Sequence, residues 1–324
     1  MALTWRSQLD AGEISAVVGL LDSATAADGT APVSEQALLR LRSGSGVAPG
    51  HLLARDPEGV LAGYAQLDAP RDEHRAVGPD AVPGAGITGD VRAGVAELAV
   101  HPAQRRRGVG TRLITALLDE VARPVSAAGG RLRVWAHGAH PGAVALAETF
   151  GFRQVRALWQ MRRSLREPLP TVRLPEGVRL RSFRVGQDEQ AVVEVNNRAF
   201  AWHPEQGNWD VRQVAVREAE PWFDPDGFLL AVDDTGRLLG FHWTKVHAAT
   251  GQHEPIGEVY VVGVDPGAQG RRLGTALTVA GLAYLRDRGL DQAMLYVEAD
   301  NAGAISVYER LGFTHWDTDV AYLH

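Results

Sequence analysis

Hydrophobic residues along this chain follow two periods, one typical of helices and one typical of strands. Apolar positions between Ile14 and Leu21 recur at helical spacing and predict a helix, which follows a short strand over residues 3–6. Apolar runs at 51–55 and 60–67 flank turn-forming residues and predict a β-hairpin. The same patterns predict strands at 94–100, 131–136 and 152–164, and helices near 108–122 and 142–149.

This series of elements occurs twice. Half of the positions in residues 51–64 are identical to those in residues 228–241, and the segment at 100–111 returns at 264–275. The distance between the copies falls from 177 to 164 residues, which places an insertion in the Gly- and Pro-rich stretch at 68–93. In the second copy we predict strands at 178–183, 228–244 (a hairpin), 256–264, 293–297 and 313–322, and helices at 187–199, 210–218, 272–288 and 302–311.

The repeat and its elements predict a tandem α+β architecture, because strands and helices mix without strict alternation. Ser34 is placed to cap a further helix in the first copy. Three prolines between residues 166 and 177 predict a linker. We therefore expect an N-terminal domain over 1–165 and a C-terminal domain over 178–324.

Composition narrows the classes of function. A net charge of -6 gives no electrostatic footprint for nucleic acid, and zero cysteines exclude disulfides, thiolate metal sites and a cysteine nucleophile. The amino end lacks the apolar core of a signal peptide, and no run of apolar residues is long enough for a membrane span. We expect a cytoplasmic monomer with small-molecule partners, no metal, no nucleic acid and no membrane partner. Lys245 is the only lysine.

A phosphate-binding loop is predicted once in each copy. In the first, a strand ends at Val100 and is followed by Arg105, Gly108, Gly110 and an apolar-periodic helix. Glycines allow backbone N–H groups to point inward, and the helix adds unpaired first-turn donors and a positive dipole end. Neither loop contains the Gly-x-Gly-x-x-Gly of a dinucleotide fingerprint, and the chain has no Gly-Lys-Ser/Thr phosphate loop.

This loop resembles the acetyl-coenzyme A signature of the GNAT acetyltransferase superfamily. The second copy departs from it, since Gln269 and Gly274 match but Arg272 replaces the first glycine. The resemblance implies two GNAT acyl-CoA N-acyltransferase domains, each with a mixed, mostly antiparallel sheet flanked by helices. It implies acetyl-CoA contacts from Leu98, Ala99, Val100, Arg106, Arg107, Gly108, Val109, Gly110 and Thr111 in the first copy, and from Val262, Gly263, Val264, Gln269, Gly270, Arg271, Arg272, Leu273, Gly274, Thr275, Asn301, Ala302, Gly303, Ala304, Ile305 and Ser306 in the second.

Longer segments resemble one family within that superfamily, the mycothiol synthases of actinobacteria. These segments include residues 196–200, 203–207, 222–227, 240–247 and 257–261 of the second copy and 31–36 and 134–138 of the first. The resemblance covers essentially the whole chain. It implies acetyl transfer from acetyl-CoA to the cysteinyl amine of Cys-GlcN-Ins, with only the C-terminal domain catalytic.

The same resemblance assigns two catalytic roles. Glu258, a charge inside an otherwise apolar strand, would be the general base, and Tyr308 on the last helix would be the general acid. At spacings of 164 and 161 residues, respectively, these positions fall on Gly94 and Ala147 in the first copy, so we expect that domain to bind acetyl-CoA without catalysis. Glu97 lies three residues from Gly94, which would place it on the opposite strand face.

Substrate contacts also follow from the resemblance: Glu35, Glu205, Lys245, Glu258 and Tyr296. A sugar derivative with many hydroxyls and one amine suits carboxylates and a lysine. His203, His242, His247 and His253 lack metal-ligand spacing and are interpreted as structural or surface residues.

Two alternatives stay open. One is a GNAT enzyme for another amine, such as a peptide N-terminus or an aminoglycoside. The other is an acyl-CoA sensor in which both domains bind without reacting, although the presence of Glu258 and Tyr308 argues against it.

Overall fold

The computed structural model describes residues 1–43, 50–68, 93–123, 129–201, 209–249 and 254–324. Most of the predicted insertion at 68–93 lies outside these residues. The described chain forms two compact units, each built from strands and helices. Within this described part, no helix combines the length and apolar character needed to cross a membrane.

The first unit contains the described residues up to Leu158 together with Asp317–His324. Its sheet has the order β1-β2-β3-β4-β5-β12, and only the β4–β5 pair is parallel. The bounds are β1 Ala2–Arg6, β2 Gly50–Arg55, β3 Leu61–Asp68, β4 Gly94–Val100, β5 Leu132–Ala136 and β12 Thr314–Leu323, with α1 Ala11–Asp28, α2 Glu35–Ser43, α3 Val109–Val121 and α4 Pro141–Thr149.

The second unit contains the described residues of the range 159–316. Its strand order is β7-β8-β9-β10-β11-β6; the β10–β11 pair is parallel, and the pairs among β7, β8, β9 and β10 are antiparallel. The bounds are β6 Arg153–Ser164, β7 Val178–Ser182, β8 Phe228–Asp233, β9 Leu238–His247, β10 Ile256–Val264 and β11 Gln292–Glu298, with α5 Glu189–Ala199, α6 Val211–Glu218, α7 Leu273–Asp287 and α8 Ala302–Arg310.

The last strand of each repeat belongs to the sheet that is built mainly from the other repeat. Residues 317–323 of β12 pair with β5 in the first unit, as in Val320 opposite Ala136. Residues 159–164 of β6 lie beside β11 in the second unit. The compact units therefore differ from the sequence repeats at these two strands, because sequence order does not reveal which sheet a final strand joins.

Local chemistry explains where the helices begin and end. Asp10 and Glu13 form a reciprocal capping box at the start of α1, and Gly29 ends that helix in the left-handed conformation. The Ser34 hydroxyl accepts a hydrogen bond from the Ala37 N–H at 3.3 Å, which confirms the predicted cap of α2. In α3, Leu113 and Leu117 are fully buried against the sheet.

A β-bulge in the second repeat changes how the two copies align. In β10, Val259 pairs with Thr244 and Val261 pairs with Trp243, so Tyr260 is the additional residue. The pairing of β3 with β4 in the first repeat has no such irregularity. Residues before the bulge are therefore displaced by one position relative to those after it.

Candidate active site

The two predicted phosphate loops have the same backbone path. Each has two residues with left-handed backbone: Arg106 (φ 60°) and Gly108 (φ 77°) in the first repeat, and Gly270 (φ 78°) and Arg272 (φ 59°) in the second. Glycine and arginine have exchanged places between the copies. The departure at Arg272 thus leaves the loop geometry intact, and α7 begins at Leu273 as α3 begins at Val109.

The first residue of each motif hydrogen-bonds the end of the strand that precedes the loop. Arg105 Nε donates to the Val100 carbonyl at 3.3 Å, and its terminal nitrogens bind the Asp28 carboxylate at 2.7 and 2.6 Å. Gln269 Nε2 donates to the equivalent carbonyl of Val264 at 3.5 Å. This position holds the loop against its strand, so the backbone N–H groups and the following arginines are the groups suited to an anion.

A cavity of about 760 Å³ adjoins the loop of the first unit. Its wall includes the predicted coenzyme contacts Leu98, Ala99, Val100, Arg106, Gly108, Val109, Gly110 and Thr111. A Cβ atom at Gly110 would lie 2.9 Å from Leu146, so the glycine allows α3 and α4 to approach closely. The volume is in the range of small-molecule sites, and the N–H groups at the start of α3 suit a phosphate.

The parallel strands separate next to both loops. Among the described residues, β4 pairs with β5 only as far as Glu97 opposite Trp135, and β10 pairs with β11 only as far as Glu258 opposite Met294. The backbone of 98–100 and 262–264 therefore lies beyond the last parallel pair. On the side away from β3 and β9, this backbone can hydrogen-bond an extended ligand as a neighbouring strand would.

A buried carboxylate occupies the central strand of the second unit. Glu258 is 7% exposed and pairs with Lys245 on β9, and His247 Nε2 lies 2.6 Å from Glu258 Oε2. Burial alone would raise the pKa of Glu258, but the His247 hydrogen bond and the charges of His247 and Lys245 lower it below its ordinary value. The side chain is therefore an ionised carboxylate.

Lys245 is buried on an aromatic wall. Its Nζ lies 4.7 Å from the ring centroid of Trp222 and 5.3 Å from that of Tyr260, within the range of cation–π attraction. The Tyr260 hydroxyl accepts a hydrogen bond from Arg217 Nε at 2.7 Å. The bulge residue thus supports the lysine from β10. Trp243 on β9 is fully buried in the core of this unit.

Helix α8 of the second unit carries Tyr308 and, at its beginning, the predicted coenzyme contacts 301–306. The Tyr308 ring packs edge-on against Phe313 at 5.9 Å and against the hydrophobic cluster that contains Val259. Burial raises the pKa of the Tyr308 hydroxyl. The Asn301 side chain caps α8 by accepting from the Ala304 N–H at 3.0 Å, so predicted contacts 301–306 lie at the beginning of this helix.

The other predicted substrate residues lie in different places. Tyr296 on β11 is 40% exposed, and its hydroxyl accepts from Gln160 Nε2 at 2.8 Å. Glu35 is the first residue of α2 in the first unit. Glu205, together with His203 and His253, lies outside the described residues.

The register corrects the predicted counterpart of Glu258. Glu258 lies opposite Lys245 and Met294, whereas Val95 lies opposite Asp68 and Arg133. Because of the bulge, the counterpart is Val95 rather than Gly94. Val95 still carries no acid–base group, and the counterpart of Tyr308, Ala147, lines the first unit's cavity.

The register also corrects the position of Glu97. Glu97 is two positions from Val95 along β4, so both lie on one strand face, and the prediction that Glu97 lies on the face opposite the counterpart of Glu258 was wrong. Glu97 accepts hydrogen bonds from Ser34 and lies 3.3 Å from His137 Nε2, while His137 Nδ1 lies 2.8 Å from Asp319. Although burial opposes it, the bonds to Asp319 and Glu97 raise the pKa of His137 to about 10.

The sequence-based predictions do not pair His247 with Glu258. Metal-ligand spacing along the sequence says nothing about the pairing of side chains across strands. A usable signal was present: Lys245 and His247 alternate onto one face of a predicted strand, and the neighbouring strand carries a buried acid. His242, in contrast, is fully buried and bonds the Leu277 carbonyl, in agreement with a structural role.

Known proteins resemble the chain over nearly its full length. Residues 21–152 and 191–313 match the model of the Acetyltransferase (GNAT) family. A mycothiol acetyltransferase of Actinosynnema mirum is 52% identical over 99% of this chain and 98% of its own length. One from Saccharopolyspora erythraea is 49% identical over 94% of this chain and 99% of its own length.

Solved structures share the fold. A GCN5-related N-acetyltransferase from Sphaerobacter thermophilus superposes with a TM-score of 0.67 at 25% identity, over 99% of this chain and 95% of that one. A tandem GNAT protein from the clavulanic acid biosynthesis pathway superposes with a TM-score of 0.68 at 19% identity, over 100% and 98% of the two chains. The tandem α+β architecture expected from the repeat is confirmed.

Proposed function

Since this chain belongs to the mycothiol acetyltransferase family of tandem GNAT enzymes, we propose that its second unit transfers the acetyl group of acetyl-CoA to the cysteinyl amine of Cys-GlcN-Ins. The products are mycothiol and free coenzyme A. The placement of Glu258 with His247 and Lys245 on one face of β9 and β10, beside the separating strands, is the observation that carries this proposal.

Glu258 acts as the general base. An α-amine with a pKa near 8 needs only about 1.4 kcal/mol to lose its proton at neutral pH, against about 4.6 kcal/mol for a lysine amine. The ionised carboxylate of Glu258 takes that proton from the substrate ammonium, directly or through one water. The neutral amine then attacks.

The acetyl transfer forms one bond and breaks another. The amine nitrogen bonds to the thioester carbonyl carbon, and the bond from that carbon to sulfur breaks. The Tyr308 hydroxyl donates to the departing thiolate, which leaves as a thiol, and the second nitrogen proton replaces the one donated. One proton per turnover passes from Glu258 to solvent. Backbone N–H groups among Val262, Gly263 and Val264 polarise the carbonyl.

Coenzyme A binding in the second unit is assigned to the loop and to α8. The N–H groups at the start of α7 and the arginines of the loop suit the pyrophosphate. The assigned residues are Gln269, Gly270, Arg271, Arg272, Leu273, Gly274, Thr275, Asn301, Ala302, Gly303, Ala304, Ile305 and Ser306.

The substrate hydroxyls and amine are assigned to Glu35, Glu205, Lys245 and Tyr296 together with Glu258. The assignment of Lys245 is supported by its buried position beside the base, and that of Tyr296 by the exposure of this residue. The first unit is proposed to bind acetyl-CoA without catalysis. Its loop and cavity support binding, and Val95 and Ala147 supply no acid or base.

The compartment and the oligomeric state are proposed as well. We propose that the enzyme works in the cytoplasm as a monomer. Cell fractionation and light scattering test these two points.

A product assay tests the function. The full-length protein is incubated with acetyl-CoA and Cys-GlcN-Ins, and in parallel with an aminoglycoside and a peptide N-terminus. We expect mass spectrometry to find N-acetylated product from Cys-GlcN-Ins in large excess over the other amines. Preferential acetylation of another amine would contradict the proposed substrate, and free coenzyme A without acetylated amine would contradict the reaction.

A further inference from the structure

One hydrogen bond fixes the carboxylate of Glu258. Because a carboxylate only accepts, His247 Nε2 donates to Oε2 across their distance of 2.6 Å. Within the part of the chain that the structure describes, the other oxygen, Oε1, accepts no hydrogen bond. A carboxylate held by one oxygen has a defined orientation and keeps the second oxygen for another partner.

The arrangement follows from the strand register. Lys245 is directly opposite Glu258, and His247 is opposite Ile256, two residues before Glu258. Side chains two apart on a strand share a face, so the lysine, the histidine and the glutamate are neighbours on one face of β9 and β10. His247 lies at the carboxyl end of β9, and its side chain is 34% exposed, whereas the side chain of Glu258 is 10% exposed.

The burial of Glu258 opposes the ionisation of its carboxyl group. Burial disfavours the charged carboxylate, and the charged groups that act on it among the described residues are His247 and Lys245, both on β9. Lys245 is directed to the rings of Trp222 and Tyr260 by cation–π contacts. The direct hydrogen bond to Glu258 therefore comes from His247.

We propose that His247 is a positioning residue, whose Nε2–H holds Glu258 ionised and presents its Oε1 to the ammonium of the acyl acceptor. This inference rests on the proposed function for its catalytic meaning. His247 does not exchange a proton with the substrate. It acts by keeping the base in the state that accepts one.

The test compares two substitutions at His247 with one control. His247→Ala removes the donor, while His247→Gln retains a neutral N–H donor. His315→Gln is the matched control, since this exposed histidine packs on Trp159 in the same unit. For each full-length variant, kcat and both Michaelis constants are measured with acetyl-CoA and Cys-GlcN-Ins as a function of pH.

Loss of the His247 hydrogen-bond donor should shift the acidic limb of the pH profile of kcat. We expect the acidic limb of kcat in His247→Ala to move to higher pH by about one to two units, because only Lys245 then opposes the effect of burial on Glu258. The Gln variant should shift less, and His315→Gln should match the wild type. The Michaelis constant for acetyl-CoA should change less than about twofold. An acidic limb in His247→Ala that coincides with that of the wild type would overturn the inference.

A second readout separates this inference from the proposed function. Titration of ¹³C-labelled glutamate side chains by NMR reports the ionisation of Glu258 in the free protein, without any substrate. A rise in the Glu258 pKa in His247→Ala supports the role of His247 as the group that holds the carboxylate ionised, even if Cys-GlcN-Ins were not acetylated. An unchanged Glu258 pKa, with the wild type active, would overturn the inference and leave the function standing.

Discussion

Arg272 has the backbone conformation that Gly108 has at the equivalent position of the first repeat, with φ of 59° against 77°. Each is the residue immediately before the helix of its phosphate loop. A side chain in this left-handed region costs about 1 kcal/mol, which glycine does not incur. The second repeat carries that strain at Arg272, and the first carries it at Arg106 instead.

Replacement of Gly108 should therefore cost more than replacement of Arg272. We expect Gly108→Ala to lower the free energy of unfolding by about 1 kcal/mol, because it adds strain where none exists. Arg272→Ala should change it by less than about 0.5 kcal/mol, since the strained backbone is already present. Calorimetry without acetyl-CoA measures both, and equal losses would contradict the assignment of existing backbone strain to Arg272.

The hydroxyl of Tyr308 should matter for turnover and little for stability. Tyr308→Phe keeps the ring that packs against Phe313 but removes the group that donates to the thiolate. We expect kcat to fall about 100-fold, with Michaelis constants within about threefold of the wild type. Steady-state kinetics and a thermal melt check this, and a kcat close to that of the wild type would remove Tyr308 from the mechanism.

Lys245 should affect one substrate more than the other. Lys245→Met retains an apolar stem against Trp222 and Tyr260 but removes the charge beside Glu258. We expect the Michaelis constant for Cys-GlcN-Ins to rise about tenfold and that for acetyl-CoA to stay within about twofold. Equal increases for both substrates would contradict a role in acceptor binding.

The buried contacts of His137 with Glu97 and Asp319 should make the stability of the first unit depend on pH. The pKa of His137 is raised to about 10, so the stability it contributes is fully present below about pH 6.5 and is lost as the pH rises towards 10. We expect the advantage of the wild type over His137→Gln in free energy of unfolding to shrink steadily across that interval. Urea unfolding at several pH values checks this, and a difference independent of pH would mean that His137 is neutral in the folded protein.

The hydrophobic pattern predicts those strands and helices whose formation depends on their own local sequence. The helices after Gly108 and Arg272 and the hairpin at 228–244 follow from periodicity and turn residues, and they are confirmed. The exchange of β12 depends on which sheet edge is available, which no local pattern encodes.

The site shows the same limit at the level of single residues. Glu258 is conspicuous because a charge in an apolar strand needs a partner, but the partner lies on another strand. The bulge at Tyr260 shifts the register by one residue. A fixed spacing of 164 residues therefore gives Gly94 as the counterpart of Glu258, whereas the strand pairing gives Val95, and Glu97 lies on the same strand face as Val95. Pairing between strands decides both points, and His247 was missed for the same reason.

The most direct test of the central claim compares kcat for Glu258→Gln and Glu97→Gln in the full-length protein, with Cys-GlcN-Ins and acetyl-CoA. Both substitutions neutralise a carboxylate on the central strand of a unit, and both retain its shape. If only the second unit catalyses, Glu258→Gln should lower kcat by about 100-fold or more while Glu97→Gln stays within about threefold of the wild type. Wild-type turnover in Glu258→Gln, or an equal loss in Glu97→Gln, would contradict that claim.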